Sequence, residues 1–323
     1  MRSDATPERI PGRPGTWLVA ALSAVLPVVF FAAGAGCVPD FRDASELDDT
    51  NQVLAVRATP PAVNPGGTVT LDALVHWPEG APTLYWLVCI PDVGDTFLTC
   101  LNSRIDDPAT IPLCGLDPAA RLCLAGVGNS VGYDVPSGIF PDDGEDHTFF
   151  VNMLAAGAAI ETCAEVMLGG TPTPDCLLSL KRVVVSYDDP AELNVNPEVA
   201  PFFFAGAPLD ATSVATIDAT VPDDDIKLEI SVTAEATSVD ELYPDGGEPS
   251  PFDLVVSFFT TCGTVSAEKV FVPCAPHEVT GEPECELVSV DWRPKTRGEC
   301  TFHAVLRDGN GGLGWLTQDF EIR

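Results

Sequence analysis

Ten cysteines lie beyond residue 88 in this chain of 323 residues, and they constrain the fold more than any other feature of the sequence. They are Cys89, Cys100, Cys114, Cys123, Cys163, Cys176, Cys262, Cys274, Cys285 and Cys300. An even number suits five disulfides, which form and persist in an oxidising compartment. The sequence therefore predicts an exported protein that is cross-linked along most of its length.

Spacing and strand position favour three of the pairs. Cys300 shares the apolar face of a predicted strand with Phe302 and Ala304, so a partner at Cys262 would cross-link strands within the core. Cys274 with Cys285, and Cys163 with Cys176, would each close a local loop. Cys89, Cys100, Cys114 and Cys123 leave three pairings open. Zinc is disfavoured because no pair has C-x-x-C spacing and the four His residues lie far apart in sequence.

The eleventh cysteine, Cys37, ends an apolar run over residues 17–36 that follows three arginines. This order is typical of a secretory signal peptide, here residues 1–36. The ending Gly34-Ala35-Gly36-Cys37 resembles the lipobox of bacterial lipoproteins, although Gly34 stands where Leu is usual. The resemblance implies a lipid on Cys37, and it explains the odd cysteine. Cleavage after Ala35 and an uncleaved membrane anchor are the alternatives, since about 20 apolar residues span a bilayer.

The resemblance to Gram-negative lipoproteins also implies a location. In that family an Asp directly after the acylated cysteine favours retention in the inner membrane, and Val38 stands there instead. We therefore expect the outer membrane rather than the inner one. Residues 37–50 are predicted to form a short acidic tether.

The charge of residues 37–323 excludes some classes of partner. This part holds 13 basic and 46 acidic residues, a net charge of −33. Nucleic acid binding needs clustered Lys and Arg, so it is excluded, and so is electrostatic docking on anionic lipid. The scattered carboxylates are better explained by solubility than by cation binding. Because hydrophobic residues make up 46% of the chain, a folded core is expected, and the 30 Pro and 27 Gly favour short strands joined by turns.

Residues 51–187 are predicted to form a first β domain. A strand, the bend Thr59-Pro60-Pro61, the turn 64–67 and an alternating second strand at 68–75 are followed by a strand that carries Trp86. This pattern resembles the A, B and C strands of immunoglobulin-like (Ig-like) domains, which implies that Trp86 is the core tryptophan. Residues 90–130 are interpreted as a cysteine-rich insertion without regular strands. Further strands are expected at 131–135, 147–154 and 177–187, with a short helix within 155–168.

Residues 188–201 are predicted to be an interdomain linker because they combine Pro with Asp and Glu and lack apolar periodicity. A second β domain follows at 202–323, with strands at 226–234 and 254–261 and a hairpin around Asp308-Gly309-Asn310-Gly311-Gly312. The strand–DGNGG–strand ending resembles the F–G hairpin of Ig-like and PKD-like modules. The predicted fold is thus all-β, with two disulfide-bonded Ig-like β-sandwich domains behind a lipoprotein signal peptide.

The sequence offers no candidate catalytic residue. Hydrolase, metalloprotease, P-loop and dinucleotide-binding signatures are absent. The histidines, His303 on an outward strand face among them, are interpreted as surface or strand-end residues. Calcium is a minor possibility at the acidic loops 142–146 and 223–225, neither of which has EF-hand spacing.

The sequence therefore predicts a non-enzymatic, lipid-anchored envelope protein that acts as a structural or protein-binding module, with an envelope protein or a glycan as its partner. Two alternatives remain. One is an adhesin that binds carbohydrate or a surface, for which Trp315 is the candidate contact unless it belongs to an interdomain contact. The other is an envelope hydrolase with its site in the 90–130 insertion. Fold alone does not choose among these roles.

Overall fold

The computed structural model of the chain describes residues 45–47, 49–91, 111–116, 120–157, 160–163, 166, 171, 173–219, 221, 224–233, 254–276 and 283–323. The predicted signal peptide, Cys37 and Cys100 lie outside these residues. In the described part of the chain, no helix is both long and apolar enough to cross a membrane. Strands dominate this part, which confirms the all-β prediction.

The first sandwich contains eight strands among the described residues. They are β1 (Gln52–Thr59), β2 (Ala62–Val63), β3 (Thr68–His76), β4 (Thr83–Cys89), β5 (Leu122–Val127), β6 (Ser130–Asp134), β7 (His147–Ala156) and β8 (Cys176–Val185). One sheet has the order β1-β3-β6 and the other the order β2-β8-β7-β4-β5. A cis peptide bond joins Thr59 to Pro60 at the bend, and β2 then pairs in parallel with β8.

The predicted alternation explains how this sandwich buries its core. On β3, Val69 and Leu71 are fully buried whereas Thr68 and Thr70 face solvent. Trp86 on β4 is also fully buried, and its indole Nε1 donates a hydrogen bond to the Gly128 carbonyl at 2.7 Å. Trp86 is thus the core tryptophan that the resemblance to Ig-like domains implied.

The second sandwich has twelve strands among the described residues. They are β9 (Glu198–Phe204), β10 (Ala207–Pro208), β11 (Ala215–Ile217), β12 (Ile226–Thr233), β13 (Leu254–Thr260), β14 (Thr264–Val265), β15 (Lys269–Phe271), β16 (Cys274–Pro276), β17 (Pro283–Cys285), β18 (Val288–Arg293), β19 (Gly298–Asp308) and β20 (Leu313–Ile322). Its sheets have the orders β10-β9-β12-β18-β14 and β11-β20-β19-β13-β15, while β16 and β17 form a separate hairpin.

The two sandwiches share one topology. The order β1-β3-β6 corresponds to β9-β12-β18, and β2-β8-β7-β4-β5 corresponds to β11-β20-β19-β13-β15. In both, a short strand after the first one crosses to the opposite sheet and pairs in parallel with the last strand. This arrangement confirms two Ig-like sandwiches in one chain.

The core of the second sandwich is built around Trp292, which lies on β18. Its ring centre is 5.4 Å from that of Phe302 and 5.0 Å from that of Phe320. Trp86 lies on the third long strand of its sandwich, whereas Trp292 lies on the strand equivalent to β6. The two cores therefore place their tryptophans in different sheets of the same topology.

Four disulfides join described cysteines. Cys163 pairs with Cys176, Cys262 with Cys300 and Cys274 with Cys285, which are the three pairs expected from spacing and strand position. Cys114 pairs with Cys123, one of the arrangements left open by the sequence. Cys89 is also disulfide-bonded. Cys262 and Cys300 extend the register of β13 and β19, so this bond joins neighbouring strands of one sheet.

Three predicted boundaries differ from the structure. Strand β7 continues through Ala156, paired with Cys176, so the segment 155–168 that was expected to hold a short helix begins as a strand; its other described residues are a 3-10 helix at Ile160–Cys163 and the helical residue Val166. Strand β5 lies inside the 90–130 segment that was expected to lack strands. Strand β9 starts at Glu198, so the last four residues of the predicted linker belong to a sheet.

The end of the predicted tether is part of the fold. Residues 45–47, here called the docked segment, run parallel to the end of β13. The amide of Leu47 donates to the Thr260 carbonyl at 2.7 Å, and the amide of Thr260 donates to the Ser45 carbonyl at 2.9 Å. Ser45 and Leu47 are each only 1% exposed. The chain thus binds the second sandwich before it enters the first.

Candidate functional site

The candidate site is the junction, defined as the contact between the outer face of strands β13, β19 and β20 and the strands β1 and β3 of the first sandwich. Val305 is fully buried there beside Ala55 and Leu313. Leu74, Phe259 and Trp315 pack around this group. An outward sheet face that would otherwise meet water is therefore covered by the other sandwich.

Asn196 of the predicted linker binds both sandwiches with one side chain. Its Nδ2 donates to the Ala58 carbonyl at 2.8 Å and to Thr59 Oγ1 at 3.0 Å. Its Oδ1 accepts a hydrogen bond from the Leu313 amide at 2.9 Å. The linker is thus fastened to both of the domains that it connects.

Arg57 makes a second connection. Its guanidinium carbon lies 3.9 Å from the ring centre of Trp315, which is a cation–π contact. Its Nε and Nη2 also bind the two carboxylate oxygens of Asp72 at 3.1 and 2.6 Å. Trp315 therefore makes the interdomain contact that the sequence left as one of its two explanations.

Charged side chains from both sandwiches meet at the β19–β20 hairpin. Lys181 of β8 donates from Nζ to the Gly311 carbonyl, and Arg307 donates from Nη2 to the Leu54 carbonyl at 3.0 Å. Asp308 accepts from the amides of Asn310 and Gly312 through Oδ1 and from Asn194 Nδ2, at 3.2 Å, through Oδ2. Each of these contacts holds a turn, a strand or the linker in place.

Burial changes the ionisation of these groups. It lowers the pKa of Lys181 to about 8, and the nearby charge of Asp308 offsets only part of that effect. Burial also raises the pKa of Asp308 above its usual value, against the hydrogen bonds that it accepts. Desolvation, rather than mutual attraction, thus dominates for both residues. A shifted amine beside a shifted carboxyl is a pattern also found at active sites, but here both side chains are occupied by contacts across the junction.

His303 lies on the outward face of β19, as predicted, but it is not a surface residue. The first sandwich covers it, so that only 7% of it is exposed. Its Nδ1 is 2.9 Å from Thr317 Oγ1. Burial, and secondarily the charge of His76, lowers the pKa of His303 to about 4, whereas Asp319 acts in the opposite direction. The prediction of exposure was wrong because a face that points away from its own core can still be buried by another domain.

Two glycines allow the linker to approach the hairpin closely. A Cβ at Gly314 would overlap the Pro197 carbonyl oxygen, and one at Gly312 would meet Asp308 Oδ2 and the Val195 carbonyl oxygen. Both glycines are buried. Their role is to remove side-chain atoms from the surface on which the linker lies.

Two cavities flank the junction. A groove of about 550 Å³, here called the Trp315 groove, is lined by Arg57, Asn196, Glu198 and Trp315, among others. A smaller cavity of about 350 Å³ is lined by Lys181, Arg307, Asp308 and the neighbouring backbone of β1. The groove offers an aromatic edge together with charged and amide groups.

In each of the two loops considered for calcium, one carboxylate is already bound by a neighbouring group. Asp143 Oδ1 accepts from the Glu145 amide at 3.1 Å and lies 3.0 Å from His147 Nε2. The Glu145 amide, followed by His147, lowers the pKa of Asp143. In the other loop Asp225 binds Arg293 through two contacts of 2.8 and 2.9 Å, while Asp223 lies outside the described residues. In the part that the structure describes, no group of three or more His, Cys, Asp or Glu residues could hold a metal ion.

The cysteine-rich region 90–130 is described only in part, at residues 90–91, 111–116 and 120–130. Close to it, Asn152 on β7 pairs in register with Leu87 and is fully buried, and neither polar atom of its side chain has a hydrogen-bond partner among the residues that the structure describes. No described residue of this region adds support for the hydrolase alternative.

Sequence reasoning missed the residues that build the junction, namely Lys181, Asn194, Asn196 and Arg307. Asn196 had one available signal, because it stands directly before Pro197 in a segment that contains a second asparagine. Lys181 and Arg307 gave none, since a charged residue on a strand normally indicates a solvated face.

Comparison with known proteins does not assign this chain to a family. No family model matches the chain, and no curated protein matches its sequence. Among solved structures, it is similar to the CbhA fibronectin(III)-like modules of Clostridium thermocellum, with 9% identity over 84% of this chain and 94% of that one, at a TM-score of 0.24. It is also similar to the two tandem V-type regions of a v-region-containing chitin binding protein, with 11% identity over 84% and 100% of the two chains, at a TM-score of 0.27.

A third similar structure is the adhesin InvE of Yersinia pseudotuberculosis, with 9% identity over 82% of this chain and 58% of that one, at a TM-score of 0.19. TM-scores this low carry no argument about fold or function. The assignment of two Ig-like sandwiches therefore rests on the strand orders themselves, and the disulfides indicate an oxidising compartment.

Proposed function

We propose that this chain is a lipid-anchored, non-enzymatic protein of a Gram-negative cell envelope, and that its two sandwiches act together as one structural or protein-binding module. The observation that carries the proposal is Asn196, which hydrogen-bonds both sandwiches at once. An interdomain joint that must move would not fasten its linker on both sides. The module therefore presents a surface of fixed shape.

The buried ionisable residues support the same function. Lys181, Arg307 and Asp308 each contact the backbone of the junction, so their burial serves domain packing. The hydrogen bonds to Arg307 and Asp308 compensate for removing these groups from water. Such an arrangement fits a scaffold better than a catalytic centre, which needs a group that remains available to substrate.

Anchoring at Cys37 is supported by the cysteine count. The four described disulfides use eight cysteines, and Cys89 is disulfide-bonded as well. Nine of the ten cysteines beyond residue 88 therefore form disulfides. Cys37 is the one cysteine that directly follows the apolar run. The proposed site is the outer membrane, with diacylglycerol on the Cys37 thiol.

In-cell crosslinking followed by purification, with the wild type compared against Cys37→Ala, tests this function. A defined protein partner recovered with the wild type and lost with Cys37→Ala is the expected result. The mass of the membrane-extracted protein should show a lipid on an amino-terminal cysteine. Recovery of no partner from either form, or a mass without lipid, would contradict the proposal.

A second candidate, binding of carbohydrate at the cell surface, is favoured by the Trp315 groove. An aromatic edge beside Arg57, Asn196 and Glu198 provides apolar contact together with hydrogen-bonding groups. Arg57 stacks on Trp315 and competes with a sugar for the ring. Glycan-array binding by the wild type that is lost in Glu198→Gln would favour this function, and an array without binding would remove it.

A further inference from the structure

The smaller cavity at the junction, of about 350 Å³ and here called the Lys181 cavity, has the size of a site for a small ligand. Small-molecule sites occupy roughly 300–1,000 Å³, so this volume lies near their lower end. The cavity is lined by residues 53–56 of β1 and 179–181 of β8, from the first sandwich, and by the β19–β20 hairpin of the second. Leu180, one of the lining residues, is 42% exposed, so the cavity borders on solvent.

Two cations line this cavity, and neither forms an ion pair with a carboxylate among the described residues. Lys181 is only 8% exposed, and its ammonium donates to the Gly311 carbonyl. Arg307 is half-buried and donates to Ser257 Oγ and to the Leu54 carbonyl, both at 3.0 Å. All three acceptors are neutral, whereas charges that are removed from water are normally paired with an opposite charge.

The acidic side chain among the lining residues, Asp308, is held by other groups. Its Oδ1 accepts from the amides of Asn310 and Gly312, and its Oδ2 accepts from Asn194 Nδ2. Its charge offsets part of the effect of burial on Lys181, but no ion pair joins these two described residues. The cations around the cavity therefore outnumber the carboxylate, and the raised pKa of Asp308 increases the excess of positive charge.

Both cations retain hydrogen-bond donors for a further partner. Lys181 uses one N–H group of its ammonium and Arg307 uses two of its guanidinium, which is fewer than half of the donors that these groups carry. A planar guanidinium matches the geometry of a carboxylate. The aliphatic residues Val53 and Leu313 also line the cavity, so a carboxylate on a short apolar chain fits its composition.

We propose that the Lys181 cavity binds a small organic carboxylate, whose charged group lies between Lys181 and Arg307 and whose apolar part contacts the aliphatic lining residues. This activity goes beyond the proposed structural or protein-binding function and does not depend on an anchor at Cys37. Because both sandwiches line the cavity, a bound carboxylate also stabilises their junction.

Thermal unfolding of the purified full chain in sodium propionate tests the proposal. Propionamide has nearly the same shape without the charge, and sodium chloride at equal ionic strength controls for screening. A ligand that binds only the folded state raises its stability with the logarithm of ligand concentration. We expect the melting temperature to rise in propionate and to stay constant in propionamide. Equal shifts in propionate and in either control would overturn the proposal, and tighter binding of phosphate would assign the cavity to an inorganic or phosphoryl anion instead.

Lys181→Met tests the residue, because methionine keeps the apolar stem and removes the charge. Calorimetric titration should show propionate binding weakened by about 10- to 100-fold, the order expected for loss of a hydrogen bond from a charged group. Lys227→Met is the matched control, since Lys227 is exposed and paired with Glu229 outside the cavity. An affinity of Lys181→Met equal to that of the wild type would overturn the proposal.

Reductive methylation of the wild type gives a measurement that needs no variant to fold. The chain has four lysines, Lys181, Lys227, Lys269 and Lys295, so peptide mapping follows each one separately. We expect propionate, but not propionamide, to slow the methylation of Lys181 and to leave that of Lys227 unchanged. Methylation of Lys181 at the same rate with and without propionate would contradict binding in this cavity.

Discussion

The guanidinium of Arg57 lies over the ring of Trp315, 3.9 Å from its centre, and so joins a strand of the first sandwich to the last strand of the second. We expect a double-mutant cycle with Arg57→Ala and Trp315→Ala to give a coupling free energy of about 0.5–2 kcal/mol, because the pair is partly shielded from water. Urea unfolding of the four proteins measures it. Asp72→Asn removes the charge that pairs with Arg57 but keeps the side-chain shape, so it is the control for the ion pair. If the free-energy losses of Arg57→Ala and Trp315→Ala simply add, the contact between the two residues is contradicted.

The buried His303 predicts a loss of stability in mild acid. Burial places its pKa at about 4 in the folded protein, against 6.5 for an ordinary histidine. The unfolded chain therefore binds the additional proton first, and folding becomes less favourable as the pH falls from about 6.5 to 4. The neutral His303 contributes its full share of the folding free energy above pH 6.5. On the order of 3 kcal/mol of that stability is lost once the pH is below about 4.

Thermal unfolding across pH 4–7 measures this effect as the difference between the wild type and His303→Gln. The stability of the wild type should fall relative to that of His303→Gln as the pH falls, because the variant has no proton to take up at that position. His147→Gln is the matched control, since that histidine lies beside the exposed Asp143 in a loop. His303 is buried at the junction near His76 and Asp319. Melting temperatures of the wild type and His303→Gln that change in parallel with pH would contradict this burial.

Gly314→Ala should separate the linker from the hairpin. The added Cβ would overlap the Pro197 carbonyl oxygen, and relieving such overpacking costs about 1–3 kcal/mol. We expect a lower free energy of unfolding together with faster proteolysis at the exposed residues 188–192. Gly132→Ala, where a Cβ meets no atom within 4 Å, should leave both measurements near the wild-type values. Equal effects of the two substitutions would show that the close approach is unimportant.

The disulfide between Cys262 and Cys300 should stabilise the protein more than the other described bonds. It spans 38 residues, whereas the bond between Cys163 and Cys176 spans 13. By restricting the unfolded chain, the longer loop should stabilise the folded state by about 4 kcal/mol and the shorter loop by about 3 kcal/mol. Replacing each pair by Ala and measuring chemical unfolding tests the order. A larger loss from the Cys163–Cys176 pair would mean that native packing outweighs chain entropy.

Leu47→Ala should destabilise the second sandwich although residue 47 precedes the first. The side chain is 1% exposed, and truncation of a buried leucine costs about 2–5 kcal/mol. Asp49→Ala, an exposed change two residues further on, should have little effect. Lys295→Ala should also be mild, because exposed ion pairs contribute about 0–1 kcal/mol. A wild-type melting temperature for Leu47→Ala would contradict the docking of residues 45–47.

Local patterns predicted the sandwiches better than the contact between them. Alternation on β3 and β12 identified buried faces, and the residues Asp308–Gly312 identified a hairpin, because both signals depend only on neighbours in sequence. The junction depends on faces that are outward in each isolated sandwich. Val305 and His303 therefore carried no sequence signal for burial, and Trp315 remained ambiguous until its partner Arg57 was placed.

The same limit explains the differences at the ends of elements. Ala155 and Ala156 suit a helix or a strand, and pairing with β8 decides the outcome. The docked segment looked like an acidic tether because only Leu47 is apolar in its three residues. Its hydrogen bonds are made by the backbone, which every sequence offers, and their partner Thr260 lies more than two hundred residues away.

This separation also has a consequence for biogenesis. A ribosome makes the docked segment early, but its partner strand β13 only after the whole first sandwich and the start of the second. Until then Ser45 and Leu47 have no strand to bind, so the joint between tether and body closes late. A chain that stops before residue 254 would keep a complete first sandwich while lacking the surface that holds its own amino-terminal segment.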